Sequence, residues 1–555
     1  MAGSGNNVIL VGSMGAGKTT IGRRLAEELG LKFVDTDDLV ERTAHRSITE
    51  IFRTGGESQF RALERRVISR TVKGARQVIS TGGGAILDPV NRARLHRAGL
   101  TIWIKARPDV AAARLDRATN RPLLGHGDRA QAIAKLLRER DAYYREALLH
   151  VETSDRTANE VVADILRRLH PSPTAVSVTA GQTKYDVEIG WETLPRLGER
   201  LASLGRSGRV GVITNPRVGA LYAGSVMRNL RAAGFQSFLV TIPDGERYKT
   251  LRSASRVYDE LVGRRFERGD TILALGGGVI GDLAGFVAAT YLRGVAYLQV
   301  PTTVVAQVDS SVGGKTGVDH PQGKNLIGAF HHPILVYSDV STLSTLPRRE
   351  LVAGLAEVVK YGVIADASFF SYVEDHAEAI LGGVPDVLTE VVRRSVVIKA
   401  DIVKQDEREA GLRKILNYGH TVGHVVETCT GYAQYRHGEA VAIGMDFAAR
   451  LAQDLGMCDG NLVRRQRGLL ERLGLPCALP LIRPSRAIRS MSLDKKVRQG
   501  RIHFVLPQGL GRVKVEPVAS ERILATWRSA TVAKKGLNGI LTERHRAGAS
   551  PNHST

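Results

Sequence analysis

The chain of 555 residues is too long for a single hydrophobic core, so more than one compact unit and more than one active site are expected. Hydrophobic residues make up 43% and charged residues 24%, which excludes a chain that is disordered throughout. The net charge of +22 would suit a nucleic-acid partner, but only 5% of residues are aromatic and the basic residues form no long block. Nucleic-acid binding is therefore not expected, and small anionic substrates account for part of the basic excess.

The cysteines and the apolar runs indicate the cellular compartment of the protein. Cys429, Cys458 and Cys477 are odd in number and lack a CxxC spacing, which argues against a disulfide framework and against a thiolate zinc site. The N-terminus has no signal-peptide core, and no apolar run reaches membrane-spanning length. We therefore expect a soluble cytoplasmic protein without a membrane partner.

The order of apolar stretches predicts the domains. Strands alternate with helical stretches over residues 1–169, which indicates a parallel sheet flanked by helices. The proline-containing segment HPSPTAVSVT predicts a linker over 170–179. A second strand series predicts an α/β domain over 180–340, and the stretch 341–530 is typical of a mainly helical domain. The basic tail 531–555 is expected to be disordered.

The first motif is a phosphate-binding loop. GSMGAGKTT matches GxxxxGK[ST] and lies between an apolar strand and an amphipathic helix, as the motif requires. Backbone N–H groups of such a loop bind ATP phosphates, the lysine neutralises their charge, and the hydroxyl after it ligates Mg²⁺. The residues assigned to ATP are Gly12, Gly15, Gly17, Lys18, Thr19 and Thr20, with Thr19 also assigned to Mg²⁺.

Segments after the loop narrow the choice of phosphoryl acceptor. VDTDD, GGESQFRALE, TGGGAI, NRPLL and RERDAYYRE, in this order, make residues 7–169 similar to shikimate kinase. The resemblance implies that Asp35 supports Mg²⁺ through water and that Arg121 meets the ATP phosphates. It assigns shikimate to Asp37, Arg61, Gly83 and Arg140. These residue types suit the substrate, since arginines bind a carboxylate and Asp37 can orient the attacking hydroxyl. Gluconate and adenylate kinases are the nearest alternatives.

A second glycine loop, LALGGGVIGD, contains GxGxxG after a predicted strand. An ordinary dinucleotide site would offer an acidic residue about twenty positions later, but none stands between Asp282 and Asp309. The loop alone is therefore weak support for NAD⁺ binding.

A metal site is predicted further along the chain. His420 and His424, at i and i+4, share one helix face, and the HExxH glutamate of zinc proteases is absent. His437 and Glu357 are further candidate ligands.

The motifs PDGERYK, VPTT and VDSSVGGKTGVDHPQGKN, together with the two sites above, resemble 3-dehydroquinate synthase from about Val176 to Ala530. The resemblance implies zinc, or cobalt, on Glu357, His420 and His437, and an active-site role for His424. It assigns NAD⁺ to Asn215, Glu246, Lys249, Gly277, Gly278, Asp282, Thr302, Thr303, Asp309, Lys315, Lys324 and Thr345. It assigns the reacting substrate to Lys360, Arg293, Asn325, Lys399, Arg413 and Asn417. The segment Asp494 to Lys496 also resembles the family, without a defined role.

The implied fold is an α/β P-loop kinase fused to a synthase that has an α/β NAD-binding domain and a mainly α-helical metal-binding domain. The implied substrate of the synthase is 3-deoxy-D-arabino-heptulosonate 7-phosphate, whose two anionic groups suit lysine and arginine. Reversible oxidation by NAD⁺ would permit β-elimination of phosphate, and ring opening and an aldol closure would follow. The resemblance leaves room for a homodimer through the synthase half.

Two alternatives remain for the C-terminal half. It could be another sugar-phosphate cyclase with the same cofactors, or an interaction protein that keeps a degenerate catalytic half. The complete sets of ligands and lysines argue against the second alternative.

Overall fold

The computed structural model describes residues 7–115, 129–493, 497–498 and 501–530. The chain forms two compact units, one of 1–172 together with Glu378–Leu388 and one of 173–377 and 389–555. No helix among the described residues is both long enough and apolar enough to cross a bilayer. The predictions for Arg121, for Asp494 to Lys496 and for the tail 531–555 lie outside the described residues.

The first unit is built on a parallel sheet of five strands in the order β2-β3-β1-β4-β5. Its strands are β1 Asn7–Val11, β2 Lys32–Asp35, β3 Gln77–Ser80, β4 Gly99–Lys105 and β5 Leu149–Glu152. Its helices are α1 Lys18–Leu29, α2 Thr36–Ala44, α3 Ile48–Thr71, α4 Pro89–Ala98, α5 Pro108–Leu115, α6 Arg129–Tyr144 and α7 Ala158–Leu169. The central strands β1 and β3 are fully buried, as expected when helices cover both faces of a parallel sheet.

Local sequence explains where several of these helices begin. Ser47 and Glu50 form a capping box before α3, and Thr157 and Glu160 form another before α7. The helix α1 has no side-chain cap, because it begins directly at Gly17 of the phosphate loop. Its first N–H groups therefore remain available to an anion.

The second unit contains a sheet of seven strands in the order β6-β7-β14-β11-β10-β8-β9, parallel except for the pair β6 and β7. Its strands are β6 Thr174–Ala180, β7 Thr183–Gly190, β8 Arg209–Thr214, β9 Gln236–Thr241, β10 Thr271–Gly276, β11 Ala296–Pro301 and β14 Leu335–Asp339. A separate hairpin consists of β12 Lys315–His320 and β13 Gly323–Phe330. Strands β10 and β11 are buried at the centre of the sheet.

The helices of the rest of the chain are α8 Leu197–Ser203, α9 Pro216–Val218, α10 Gly224–Ala232, α11 Leu251–Gly263, α12 Gly278–Thr290, α13 Arg348–Ile364, α14 Ala367–Asp375, α15 Ala377–Gly382, α16 Pro385–Gln405, α17 His420–Cys429, α18 His437–Asp454, α19 Gly460–Arg472, α20 Pro484–Leu493 and α21 over 520–530. Two short π-helical stretches occur, at Gly219–Ala223 and at Ala306–Ser310. Such stretches are frequent at functional sites, and the second one contains Asp309.

The structure corrects two sequence-based boundaries. The predicted linker 170–179 is mostly the strand β6, because Thr174 to Ala180 pair with β7, and only 170–173 separate helix α7 from this strand. The region 341–530, predicted as mainly helical, also contains the antiparallel sheet of β15 Val497–Arg498, β16 Arg501–Gly509 and β17 Arg512–Val518. The parts over 180–340 and 341–530, apart from Glu378–Leu388, join in one compact unit.

Candidate active sites

The phosphate loop follows β1 in the first unit. Gly12, Gly15 and Gly17 have φ values of 145°, 76° and 95°, a range that favours glycine. A Cβ on Gly12 would lie 2.3 Å from the carbonyl oxygen of Ile104, so this position also needs a glycine for space. Lys18 Nζ donates to the carbonyl oxygens of Gly12 and Ser13 at 2.9 and 2.8 Å. The loop therefore folds around its lysine as a phosphate-binding loop does.

The residues predicted to serve Mg²⁺ lie together beside this loop. Thr19 Oγ1 donates to Asp35 Oδ2 at 2.9 Å, and Asp35 Oδ1 accepts from the backbone N–H of Asp37 at 3.0 Å. Hydroxyl and carboxylate oxygens suit this hard cation. Thr20 follows on the exposed side of α1.

The triple-glycine loop after β3 gathers the residues predicted to hold shikimate. Arg140 Nη1 donates to the carbonyl oxygen of Gly83 at 3.1 Å. A Cβ on Gly84 would lie 2.3 Å from Arg61 Nη2, and a Cβ on Gly82 would lie 2.6 Å from Asp37 Oδ1. Because this loop passes so close to all three side chains, it brings two arginines and one carboxylate to a single place.

Glu64 and Tyr144 belong to the same site, although the sequence reasoning missed them. Arg61 Nη1 donates to Glu64 Oε2 at 2.7 Å, and the Tyr144 hydroxyl donates to the Gly83 carbonyl oxygen at 2.6 Å. Burial raises the pKa of Glu64 to about 7, and the pairing with Arg61 only partly opposes this. The spacing of i and i+3 between Arg61 and Glu64 could have revealed the pair.

The predicted NAD⁺ residues lie along the carboxyl edge of the second parallel sheet. Asn215 follows β8, Thr302 and Thr303 follow β11, and the glycine loop leads from β10 into α12. A crevice at this edge is where open α/β sheets bind nucleotides. The remaining predicted residues follow β9 or β14 or belong to the hairpin and its approach, namely Glu246, Lys249, Asp309, Lys315, Lys324 and Thr345.

Lys249 links this crevice to the hairpin. Its buried Nζ donates to Asp282 Oδ2 and to Asn325 Oδ1, both at 2.5 Å. Gly277 caps α12 without a side-chain hydrogen bond, and α12 has no acidic residue in its first turn. Such a helix N-terminus attracts an anionic group. The predicted dinucleotide residues thus fit the phosphates of a dinucleotide.

Glu357, His420 and His437 form a metal-ligand cluster, with one ligand atom from each lying within 4.8 Å of the others. Glu357 Oε1 lies 3.7 Å from Nε2 of each histidine. His420 Nδ1 donates to the carbonyl oxygen of Tyr418 at 3.1 Å, which leaves Nε2 for a metal. One carboxylate and two imidazoles are a donor set that suits zinc.

Glu427 supports this cluster from the outside, and the sequence reasoning missed it. Its Oε1 lies 3.3 Å from His437 Nδ1, so that the Nε2 of this ring also faces Glu357. Glu427 stands three residues after His424 on the face of α17 that carries both histidines, which could have predicted its position. His424 lies beside the cluster, its ring 5.7 Å from that of His420, and is not one of the three clustered residues.

Two buried lysines connect the metal cluster with Asp309. Lys360 forms an ion pair with Glu357, while Lys399 Nζ donates to Asp309 Oδ1 at 2.6 Å. Burial lowers the pKa of Lys399 to about 8. Burial alone would raise the pKa of Asp309, but Lys399 and then Lys360 hold it far below its usual value. Asp309, expected to contact NAD⁺, thus lies beside two lysines that are predicted to bind the substrate.

Glu409 joins two residues of the predicted sets and was not itself predicted. It forms an ion pair with Lys315, and its Oε1 accepts from Asn417 Nδ2 at 2.7 Å. The buried Arg413 donates to the carbonyl oxygens of Glu407 and Gly313. Lys315, expected to serve NAD⁺, therefore also lies among substrate residues. No sequence pattern marks Glu409, because a loop brings it there.

Arg293, which is also predicted to bind the substrate, is separated from the glycine loop by the length of helix α12. Helix α12 begins at the glycine loop and spans 13 residues, about 20 Å, before Arg293 follows it. Arg293 is exposed, and Leu292 and Arg293 have φ values of 48° and 62°. Consecutive left-handed residues other than glycine store strain, which is typical of functional positions.

Comparisons with known proteins agree with the division of the chain into a kinase-like part and a synthase-like part. Three family models match the chain, namely shikimate kinase over 14–170, 3-dehydroquinate synthase N-terminal over 239–353 and 3-dehydroquinate synthase C-terminal over 354–497. The 3-dehydroquinate synthases of Citrifermentans bemidjiense and Pelobacter propionicus are 49% and 50% identical to it, over 61% and 63% of this chain and 94% and 98% of theirs.

A solved structure shares the fold of the second unit. ValA, the 2-epi-5-epi-valiolone synthase of Streptomyces hygroscopicus solved with NAD⁺ and Zn²⁺ bound, is 27% identical, with a TM-score of 0.59 over 64% of this chain and 99% of its own. Fold and sites define a P-loop kinase joined to a sugar-phosphate cyclase type of synthase. The chain belongs to the 3-dehydroquinate synthase family, with a shikimate kinase as its N-terminal part.

Proposed function

We propose that the protein catalyses two reactions of the shikimate pathway. The kinase part transfers the γ-phosphoryl group of ATP to the 3-hydroxyl of shikimate, and the synthase part converts 3-deoxy-D-arabino-heptulosonate 7-phosphate to 3-dehydroquinate and phosphate. The observation that carries the proposal is that each unit holds its own set of donors and ligands matched to its family. Both activities are placed in the cytoplasm, where ATP and NAD⁺ are available and thiols such as Cys477 stay reduced.

In the kinase part, the residues of the chain position the two substrates and neutralise the charge of the phosphates. The loop N–H groups and Lys18 would hold the ATP phosphates, while Thr19 would ligate Mg²⁺ directly and Asp35 through water. When bound, Mg²⁺ supplies charge neutralisation. Arg61 and Arg140 bind the shikimate carboxylate, which presents the 3-hydroxyl to Asp37. Asp37 accepts the proton of that hydroxyl.

In the synthase, Glu357, His420 and His437 would hold zinc, and the crevice at Gly277 and Lys249 would hold NAD⁺. When bound, zinc supplies a Lewis acid for a ring alcohol, and NAD⁺ supplies reversible oxidation of that alcohol. The donor set, with both imidazoles orientated through Nδ1, supports zinc, and cobalt satisfies the same donors.

The remaining residues of the chain bind the two anionic groups of the heptulosonate phosphate. The cations available to these groups are Lys315, Lys360, Lys399 and Arg413, and the amides are Asn325 and Asn417. Such charge-assisted donors fix the ring so that its alcohol lies at the metal cluster. His424, at the edge of the cluster, is placed to move a proton as phosphate leaves.

Another sugar-phosphate cyclase activity is the alternative for the synthase part. Identities of 49% and 50% to 3-dehydroquinate synthases, against 27% to a valiolone synthase, favour the proposed substrate. Parallel assays with another sugar phosphate and with the heptulosonate phosphate test this choice. Phosphate release and product formation are expected only with the second substrate, whereas turnover of the first alone would overturn it.

We further propose that a second copy of the chain supplies Arg293 in a homodimer, because this strained and exposed residue lies about 20 Å from its own glycine loop. Mixing Arg293→Ala and His420→Ala chains tests it, since a mixed dimer would contain one complete site. Recovery of about a quarter of wild-type activity is expected for random pairing. Mixed dimers without recovery would refute the sharing of Arg293.

The metal assignment predicts different results for the two neighbouring histidines of α17. His420→Ala should lose most bound zinc and phosphate release, because it removes one of three protein ligands. His424→Ala should retain more metal, since His424 lies outside the cluster, and yet lose activity. Zinc per chain, measured by elemental analysis after dialysis, distinguishes them. Equal metal loss in both variants would show the ligand assignment to be wrong.

A further inference from the structure

The turn that precedes Lys315 is held by residues to which no role has been assigned. Gly313 and Gly314 have φ values of 103° and 67°, so two consecutive glycines adopt the left-handed region. Glycines lose the most conformational freedom on folding, and this pair alone would not fix the direction of the next residue. Lys315 begins β12 directly after them, so the turn determines where its side chain starts.

Tyr185 and Arg413 hold Gly313 through its backbone. The N–H of Gly313 donates to the Tyr185 hydroxyl oxygen at 3.0 Å, and its carbonyl oxygen accepts from Arg413 Nη2 at 3.3 Å. Tyr185 is buried on β7, a strand of the large sheet. Both polar groups of the Gly313 backbone are therefore tied to side chains that are themselves buried.

His332 holds Gly314 by packing. A Cβ on Gly314 would lie 2.5 Å from His332 Nδ1 and 2.6 Å from Cε1, so the imidazole ring packs closely against this glycine. The side chain of His332 is only 7% exposed, and its Nε2 lies 2.9 Å from Glu407 Oε1. The Tyr185 ring lies 5.7 Å from it. Glu407 thus holds the His332 imidazole in place, and this imidazole in turn packs against Gly314.

We propose that Tyr185, His332 and Glu407, which we call the turn clamp, are positioning residues that direct Lys315 toward an anionic group of the synthase substrate. Glu407 and the partner of Lys315, Glu409, stand two residues apart in one loop, so this loop holds both the turn and the lysine. The inference rests on the proposed synthase activity.

A positioning role of the turn clamp should affect substrate binding and turnover to different extents. If Lys315 binds an anionic group of the substrate equally in the ground state and in the transition state, a misdirected lysine should raise KM more than it lowers kcat. A purely structural role of the clamp would instead lower the amount of folded enzyme and leave KM unchanged. The dinucleotide contacts of Lys249 and Gly277 do not involve the clamp, so NAD⁺ binding should persist.

The test uses full-length protein with zinc and NAD⁺, and it compares His332→Ala, His332→Gln and Tyr185→Phe. His332→Ala should raise KM for the heptulosonate phosphate ~10-fold with kcat within ~3-fold of wild type, and Tyr185→Phe should act in the same direction. His332→Gln should restore KM to within ~3-fold, because its amide N–H can donate to Glu407. Kd for NAD⁺ is measured alongside by titration calorimetry.

His331→Gln is the matched control. His331 is the neighbouring, partly buried histidine, but its Nε2 bonds to the Val295 carbonyl oxygen and its ring stacks on Tyr297. Its backbone N–H donates to Gly314, and the substitution preserves that bond. It should lower the melting temperature about as much as His332→Gln without raising KM.

Three outcomes would overturn the inference. The first is an unchanged KM in His332→Ala and Tyr185→Phe. The second is a rise of KM in His331→Gln equal to that in His332→Ala. The third is a loss of affinity that is confined to NAD⁺. A wild-type enzyme that fails to release phosphate would instead refute the proposed function, which the same assay reveals separately.

Discussion

Buried charged residues in both sites are paired with protein atoms. Lys249 is paired with Asp282, and Lys399 with Asp309, while Lys360 is paired with Glu357. Burying such charges is costly unless each has a partner, and removal of one partner would leave the other uncompensated. Substitutions within these pairs should therefore lower stability as well as activity, so kinetic variants need a stability measurement beside them.

Glu64 gives the kinase part a defined pH dependence. Its pKa rises from 4.5 to about 7 on folding, so the native state binds more protons than the unfolded state between these values. Stability from this group is complete below pH 4.5 and is lost as the pH rises to about 7, by up to roughly 3 kcal/mol. Glu64→Gln should remove this part of the slope in calorimetric unfolding of the kinase transition.

Glu57→Gln is the control for Glu64, since Glu57 also pairs with Arg61 but is 56% exposed. It should leave the slope as in the wild type. A slope that persists unchanged in Glu64→Gln would show that other groups cause it.

At the scale of single residues, the sequence predicted site residues correctly where they share a motif. The spacing of His420 and His424 indicated one helix face, and the glycine loop indicated Lys18 and Thr19. Glu409 and Tyr185 could not be predicted, because a loop and a distant strand bring them to the site through tertiary folding. Arg293 was assigned to the site by resemblance alone, and its assignment stays a prediction, since it follows α12 at the end away from the glycine loop.

At the scale of elements, glycines set the distances between the helices that carry the metal ligands. A Cβ on Gly438 of α18 would lie 1.8 Å from the Ala353 carbonyl oxygen of α13. A Cβ on Gly444 of α18 would lie 1.9 Å from the Gly419 carbonyl oxygen at the start of α17. Since a side chain at either place would force the backbones apart, these contacts allow three helices to bring their ligands together.

Gly444→Ala should therefore weaken metal binding although Gly444 is no ligand. Separation of α17 from α18 would move His420 away from His437, with an expected loss of ~10-fold or more in zinc affinity. Overpacking should also cost about 1–3 kcal/mol of stability. Zinc affinity is measured by competition with a chromogenic chelator.

Gly468→Ala serves as the control for this prediction. Gly468 lies within α19, and a Cβ there would meet no atom within 4 Å. Alanine should leave zinc affinity unchanged and stabilise the helix by up to ~1 kcal/mol. Wild-type zinc affinity in Gly444→Ala would contradict the role given to close helix packing.

Sequence periodicity predicted the parallel sheets because buried strands are continuous apolar runs between helices. It failed at β6, whose alternation in TAVSVTA was obscured by the preceding prolines and by small polar residues on its exposed face. The small sheet of β15 to β17 was also missed, since the alternating charged and apolar residues of RVKVEPV were read as part of a mainly helical region.

For the whole molecule, the two reactions are not consecutive, because 3-dehydroquinate requires dehydration and reduction before it becomes shikimate. Direct transfer of an intermediate between the sites therefore has no chemical basis. Joint expression is the simpler benefit of the fusion.

Separate expression of the two parts tests this independence. Division between Ser172 and Pro173 preserves β6 in the synthase part, and each fragment is expected to retain nearly full activity. Steady-state assays of both fragments are compared with the intact chain. A tenfold loss in folded 1–172, about 1.4 kcal/mol of transition-state stabilisation, would instead show that the kinase depends on Glu378–Leu388 or on other parts of the chain.

The most direct test of two independent active sites is a paired assay on one preparation of the intact chain. With zinc and NAD⁺ supplied, phosphate release from 3-deoxy-D-arabino-heptulosonate 7-phosphate is followed beside shikimate-dependent ADP formation. The wild type should show both activities, Lys18→Ala should lose only ADP formation, and His420→Ala should lose only phosphate release. Absence of either wild-type activity, or loss of both activities in one folded variant, would contradict the account.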